Sequence, residues 1–341
     1  MDDPPSSPGP QAIAVLGGGF LGANIAHRLQ EDGHAVTVLT RSEPRAEHAR
    51  LLHGCTLVIG DVQDSLALQE AVRAARHIIY AVGTLHPHAS NLDPVTDVVT
   101  SLPPLLSVLG QLESGQAFTF LSSGGAIYGN ARVTPTPEET NPAPRSSYGI
   151  MKLAGERYAA LFQHARHAPS RILRLANVYG PGQLAERGQG IIGALLMCAE
   201  TDRRLQIFGD GSVVRDFIHV DDVADAVTRL LSGPPEPQVL NVGSGIGTSI
   251  NAAVQVVRAV TGKAIEVDYV DSRTADVSVS TLDTRRIRSL IPFNPRSLEA
   301  GVMETWARRA ESHGEEWSGS SSPRKTPPPR PPSLPRVGTG A

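Results

Sequence analysis

The sequence predicts an α/β protein: a Rossmann-type doubly wound parallel sheet with a smaller, interwoven C-terminal lobe. Three observations carry that prediction. Short runs rich in Val, Ile and Leu alternate with helical patterns up to about residue 180. A glycine cluster, "GGGFLG" at 17–22, sits at the first strand–helix junction. Beyond residue 180 the rhythm changes, yet "VLNVGSG" (239–245) reads as a strand that returns to the main sheet.

"AIAVL" (12–16) is the first buried strand, and the helical pattern "FLGANIAHRLQEDG" follows its glycines. "AVTVL" (35–39), "TLVIGD" (56–61), "HIIYAV" (77–82), "AFTFLSS" (117–123) and "RILRLANVYG" (171–180) supply five more strands, each separated from the next by helix. The longest connection, about 92–113, contains Pro103 and Pro104, which predicts a helix broken there or starting there. In the second half a helix is expected at 190–202, then the strand "LQIFG", the turn "GDGS" and the strand "VVRDFIHV". "DDVADAVTRLL" (221–231) reads as a helix capped by Asp221, and two more helices are expected near 249–261 and 297–311. Residues 1–10 read as a flexible leader, 11–180 as the main sheet domain, 181–311 as the interwoven lobe, and 312–341, rich in Ser, Pro and Arg, as a disordered tail.

The 341 residues, 40% hydrophobic and 19% charged, are enough for a sizeable core. A formal net charge of -3 and only 4% aromatic residues give neither the basic surface nor the stacking platform of a nucleic-acid partner. Two cysteines, Cys55 and Cys198, with no pairing motif point to a reducing compartment. The N-terminal segment lacks the basic and apolar regions of a signal peptide, and no apolar run approaches the roughly 18 residues of a membrane span. A cytoplasmic protein without a membrane partner is the expectation.

Gly17, Gly19 and Gly22 give G-x-G-x-x-G between a strand and a helix. The first glycine permits the tight turn, the second lets a pyrophosphate approach the backbone, and the third lets the helix pack closely on the strand. Phe20 and Leu21 open the helix whose N-terminal amides favour phosphate. A dinucleotide is therefore the expected cofactor. The second strand ends in Thr40–Arg41 with no acidic residue for the adenine ribose, which leans from NAD towards NADP(H); a surface arginine after a strand is also common. Asp61 ends the third strand, where it faces the adenine edge or caps the next helix. Val62 beside it and Ala81 at the end of the fourth strand complete the expected cofactor set.

In "SYGIMKLAGERY", Tyr148 and Lys152 are four residues apart on one helical face, an acid–base pair or an ordinary surface arrangement. The glycine turn, "GDVQD", "FLSSGGAIYG", "YGIMK", "LRLANVYGPGQ" and "FGDGSVVRDFIHVDDVADAV" together resemble, in kind and order, the extended short-chain dehydrogenases/reductases, and most closely the nucleotide-sugar epimerase/dehydratase group. The resemblance covers about residues 12–310. It implies that Tyr148 is the acid–base catalyst and that Lys152 supports it and holds the nicotinamide ribose. A free phenol ionises near pH 10, and a neighbouring ammonium together with a cationic nicotinamide would draw that value down.

The resemblance also places a Ser or Thr after the fifth strand. Aligned through "IYG", that position is Gly124, so either Ser123 takes the role through a local shift or the hydroxyl is missing. The Asp–Glu pair that sugar 4,6-dehydratases carry next is Gly125–Ala126 here, which argues against dehydration. Leu16 stands where the group's first loop glycine would fall. Asn177 matches a sugar-nucleotide position, and Arg215 and Arg273 match diphosphate-binding arginines, though either could be a salt-bridge partner, Arg215 with Asp216 or Asp222. Gln206 and Phe208 border the base pocket or pack an edge strand. His219 and Asp221 read as structural, and no metal is assigned. The implied activity is hydride transfer at C4 of a nucleotide-activated sugar, by a 4-epimerase or a 4-ketoreductase, in a homodimer; the competing class is a non-catalytic dinucleotide-binding regulator.

Overall fold

In the computed structural model, residues 9–83, 85, 87–183, 190–201, 203–231, 238–272 and 277–319 are described, the last eight by backbone alone. The main domain runs β1 (Ala12–Leu16), α1 (Phe20–Glu31), β2 (Ala35–Thr40), α2 (Ala46–Leu51), β3 (Thr56–Ile59), α3 (Ser65–Val72), β4 (His77–Tyr80), α4 (Pro87–Leu92), α5 (Pro94–Gln111), β5 (Ala117–Ser123), α6 (Gly124–Ile127), α7 (Ser147–Arg166) and β6 (Ser170–Leu175). The remainder runs β7 (Asn177–Tyr179), α8 (Ile191–Thr201), β8 (Leu205–Phe208), β9 (Val214–His219), α9 (Val220–Leu231), β10 (Gln238–Val242), β11 (Gly247–Ser249), α10 (Ile250–Thr261), β12 (Val267–Val270), β13 (Val279–Ser280), α11 (Arg285–Leu290) and α12 (Leu298–Gly319).

Seven parallel strands form the main sheet in the order β10-β6-β5-β4-β1-β2-β3. Its strands are apolar on both faces because helices cover both. α1 and α9 contribute to the core on one face, and α3, α5 and α7 to the core on the other. The chain reverses direction across the sheet between β1 and β4, and the crevice at the carboxyl ends of those strands is where such sheets bind ligands. As expected, the run at 239–245 returns to the main sheet, as β10 beside β6. A third core joins β7, β8 and β9 to α8, α10 and α12.

Five details correct the sequence reading. The expected sixth strand, 171–180, is two strands: β6 stays in the main sheet and β7 leaves it to pair with β9, with Ala176 at the bend. α5 is not broken at Pro103 and Pro104 but runs from Pro94 through both, started by Asp93, which accepts the Thr96 amide. The two prolines leave the carbonyls of the exposed residues Val99 and Thr100 without their helical donors, while Leu105, Val108 and Leu109 are buried and hold the helix down. α3 is capped by Asp64, which accepts from Leu66 and Ala67, and not by Asp61. Asp221 lies inside the first turn of α9, and α12 continues to Gly319, into the segment expected to be a disordered tail from 312.

Candidate active site

The β1–α1 turn is shaped for close approach. Gly17 has φ 110°, and a Cβ there would lie 2.7 Å from the Ala81 carbonyl oxygen. A Cβ on Gly22 would fall 1.8 Å from the Gly17 oxygen, so α1 can meet β1 only through glycine. A Cβ on Gly19 would meet nothing within 4 Å: this position opens onto the crevice. Gly19 is also the N-cap of α1 and offers no side-chain cap, which leaves the first-turn amides of Phe20, Leu21 and Gly22 free to bind an anion. The cradle fits a dinucleotide pyrophosphate despite Leu16. Arg41 is exposed immediately after β2, and Asp61 is exposed after β3, bonded to the Gln63 amide at 2.9 Å. The Val62 side chain instead turns into the α3-side core, and Ala81 is half-buried against Gly17.

Tyr148 and Lys152 lie on the first turns of α7, and both are half-buried. The Lys152 Nζ donates to the Leu121 carbonyl at 2.9 Å and sits 5.7 Å from the Tyr148 ring centroid. Ser123, at the end of β5, sits beside the Tyr148 hydroxyl and favours its ionised form. The structure thus brings Ser123, Tyr148 and Lys152 together. Gly124 carries no hydroxyl, and a Cβ there would lie 2.6 Å from Leu282 Cδ1, so a side chain would require Leu282 to shift. Ser122 points the other way and donates to Glu156 at 2.7 Å.

The polypeptide alone does not lower the Tyr148 pKa, contrary to the expectation from its lysine neighbour. Burial pushes the phenol up, the Ser123 hydroxyl pulls it down, and the Asp97 carboxylate pushes it up again. Burial also brings the Lys152 ammonium down to about 8, against the opposing pull of Glu156 and Asp97.

Beneath the pair lies a buried polar network that the sequence did not announce. Glu156, one turn beyond Lys152, is held by Arg174 through Nε (2.9 Å) and Nη2 (2.7 Å). Arg174 Nη1 donates to the Tyr128 hydroxyl at 2.9 Å, which donates to Asn241 Oδ1 at 2.8 Å. The only hint was the spacing of Tyr148, Lys152 and Glu156 by four residues each, which sets them on one helical stripe.

On the substrate side, Asn177 stands where β7 leaves the main sheet, near Gly125, and its Nδ2 donates to the Asp216 carbonyl at 3.1 Å. Arg215, on β9, donates to the carbonyls of Val214 (2.9 Å) and Val277 (2.6 Å). Its expected competitors are engaged otherwise: Asp216 accepts from Ser244, Gly245 and Leu282, and Asp222 accepts from Arg296. Arg273 lies outside the described residues. Gln206 and Phe208 are exposed on β8. His219 is buried, donates to or accepts from Thr305 Oγ1 at 3.2 Å and stacks edge-on to Tyr179. With Asp221 and Glu304 it forms a cluster of metal-ligand type, but Arg296 and Arg308 already pair with both carboxylates. No described helix is long and apolar enough to cross a membrane.

Comparison with known proteins agrees with this geometry. The family model described as the NAD dependent epimerase/dehydratase family matches residues 13–243. The chain is 30% identical over 295 residues to a UDP-glucose 4-epimerase of Mycolicibacterium smegmatis, covering 84% of this chain and 94% of the relative. It is 28% identical to a dTDP-4-dehydro-6-deoxy-D-allose reductase of a Streptomyces species, over 87% of this chain and 96% of that one. Among solved structures, the UDP-glucose 4-epimerase of Thermotoga maritima with UDP-glucose superposes with a TM-score of 0.81 at 30% identity, covering 89% of this chain and 99% of that one.

Proposed function

The chain belongs to the NAD-dependent epimerase/dehydratase family, and from that premise we propose that it catalyses hydride transfer at C4 of a nucleotide-activated sugar. It is an enzyme of the short-chain dehydrogenase/reductase type. The observation that carries the reading is the meeting of Ser123, Tyr148 and Lys152 at the carboxyl end of β5, in the crevice that the glycine cradle shares.

In this reading the amides of Phe20, Leu21 and Gly22 bind the cofactor pyrophosphate, and Asp61 and Ala81 border its adenosine and nicotinamide portions. A bound nicotinamide supplies the hydride acceptor or donor and, when oxidised, the positive charge that the phenol needs. Tyr148 takes the proton of the sugar C4 hydroxyl and gives it back, and Ser123 orients that oxygen while favouring the phenolate. Lys152 keeps a positive charge behind the phenol and reaches the nicotinamide ribose. Asn177 and Arg215 bind the nucleotide-sugar side, with Arg215 exchanging backbone carbonyls for the diphosphate; Arg273 is proposed as a second diphosphate ligand on its sequence motif alone. No carboxylate stands at Gly125 or Ala126 for dehydration across C5–C6.

A 4-epimerase is the leading reading, supported by the relatives at 30% identity. A 4-ketoreductase using NADPH is favoured by one observation, the basic and exposed Arg41 at the end of β2. We also propose a homodimer through α5 and α7, where Val95, Val99, Ile150 and Leu161 are exposed. The deciding experiment is a thermal-shift panel of UDP-, dTDP- and GDP-sugars with NAD+ or NADPH, followed by turnover of the best pair. Interconversion of C4 epimers with tightly held NAD supports the epimerase, and single consumption of NADPH by a 4-keto sugar supports the reductase. Stabilisation by no sugar nucleotide would refute both.

A further inference from the structure

Asp97 is a buried carboxylate that none of the expected roles uses. It projects from α5 onto the first turn of α7 and is 0% exposed. Its Oδ2 accepts from Ser147 Oγ at 2.7 Å, and its Oδ1 accepts from Ser101 Oγ at 3.2 Å. Ser147 is the residue immediately before Tyr148. Ser101 lines a small cavity together with Tyr80, Leu105, Phe120, Tyr148, Met151 and Lys152.

The same turn is held on its other side by α4. Asn91 Oδ1 accepts the Ser147 amide at 2.9 Å and Ser90 Oγ accepts the Tyr148 amide at 3.0 Å. With Ser146 Oγ accepting the Gly149 amide at 3.1 Å, these neutral groups already satisfy the free amides of the helix start, so capping does not require a charge at Asp97. A buried carboxylate costs far more than a buried amide unless its charge is used. Two hydroxyl donors and the positive end of α7 offset part of that cost.

We propose that Asp97 is a positioning residue for the Tyr148–Lys152 pair: its carboxylate anchors the turn that carries Tyr148 and supplies the negative charge that keeps Lys152 an ammonium. The inference rests on the assignment of that pair as the site. Among the described residues, the titratable and charged groups facing Lys152 are Tyr148 and Glu156 on α7, Asp97 on α5 and Tyr80 on β4, with Arg174 of β6 behind Glu156. Glu156 shares its charge with Arg174 in a two-point contact, whereas Asp97 accepts from the neutral hydroxyls of Ser101 and Ser147. Asp97 acts on both members of the pair in the same direction, raising the Lys152 and the Tyr148 pKa values. It therefore sets the pH window in which a charged lysine stands behind a phenol ready to ionise.

The test reads protonation directly and needs no turnover, so its failure is distinct from failure of the proposed activity. In the full chain, Lys152 is acetylated with acetic anhydride across pH and the labelled peptide is quantified by mass spectrometry. Tyr148 ionisation is followed as the 295 nm difference between the wild type and Tyr148→Phe. In Asp97→Asn, an isostere that keeps hydrogen-bond acceptance and drops the charge, both half-points should move to lower pH, that of Lys152 by about one unit. Ser147→Ala, which removes a hydrogen bond and leaves the charge, should leave the Lys152 half-point where it is. Unmoved half-points in Asp97→Asn, or an equal shift in Ser147→Ala, would overturn the proposal. Should Asp97→Asn not fold, Asp97→Ser in the same assay decides: a Lys152 half-point moved to lower pH supports the proposal, and an unmoved one overturns it.

Discussion

Replacing Arg174 by Met should destabilise the protein heavily while leaving the cofactor cradle untouched. Arg174 and Glu156 are 4% and 3% exposed, and the guanidinium meets the carboxylate at two points, 2.9 and 2.7 Å. Met keeps most of the side-chain volume, so the loss is electrostatic: Glu156 would stay buried with the Ser122 hydroxyl still donating to it and no guanidinium beside it. Removing one member of such a pair costs about 3–5 kcal/mol, because the other is left as an uncompensated buried charge. With a denaturation slope of about 3 kcal/mol per molar urea, the midpoint followed by circular dichroism should fall by roughly 1–1.7 M. Glu156→Leu alone should cost a similar amount, since it strands Arg174. The double variant Glu156→Leu/Arg174→Met should lose less than either single one, because no charge then remains buried without its partner. A single-variant loss under about 1 kcal/mol, or losses that simply add, would refute the view that the two charges are held as one buried unit beneath Lys152.

Two further outcomes follow from the same geometry. Gly22→Ala drives a Cβ to within 1.8 Å of the Gly17 oxygen and must deform the β1–α1 turn; titration with NAD+ by calorimetry should show affinity lowered about tenfold or more, with the fold retained by circular dichroism. Buried His77 and His219 are each drawn down to about 3, chiefly by burial. Their folded values lie below the unfolded value near 6.5, so the unfolded chain takes up protons first, and each histidine contributes stability that is full above about pH 6.5 and lost as pH falls towards 3. The slope is about 1.4 kcal/mol per pH unit for each, and His77→Gln should flatten the acid side of a urea-denaturation series by that amount.

The strands of the main sheet were legible because both of its faces are covered, which makes each strand a short run of Val, Ile and Leu between helical patterns. The cradle was legible because three of its positions tolerate only glycine or open onto the crevice, and those constraints leave a fixed spacing. The course of α5 was not. Local proline chemistry predicts a break at Pro103, and the burial of Leu105, Val108 and Leu109 that overrides it is tertiary. Nor was the split of 171–180: β6 and β7 have the same apolar character, and only the position of their partners, β5 and β9, separates them. At the site, Tyr148 and Lys152 stood out by spacing, and Ser123 only through the family resemblance, next to the Gly124 that holds the matching position. Asp97 and Glu156 did not, because a single acidic residue in a helical pattern reads as solvent-facing until the elements that bury it are known. The polypeptide's own upward pull on the Tyr148 pKa was hidden for a related reason: counting charges along one helix omits both desolvation and a carboxylate arriving from another.

The claim on which the account turns is that the Tyr148 hydroxyl moves the proton when hydride leaves or reaches the sugar. The direct measurement is Tyr148→Phe, compared with the wild type for dinucleotide binding and for absorbance change at 340 nm with the best-stabilising sugar nucleotide from the thermal-shift panel. The account predicts an intact fold and near-normal dinucleotide affinity, with the 340 nm change and turnover reduced by a factor of 100 or more, on the order of what a lost general acid–base group costs. Turnover within a few-fold of the wild type would contradict it.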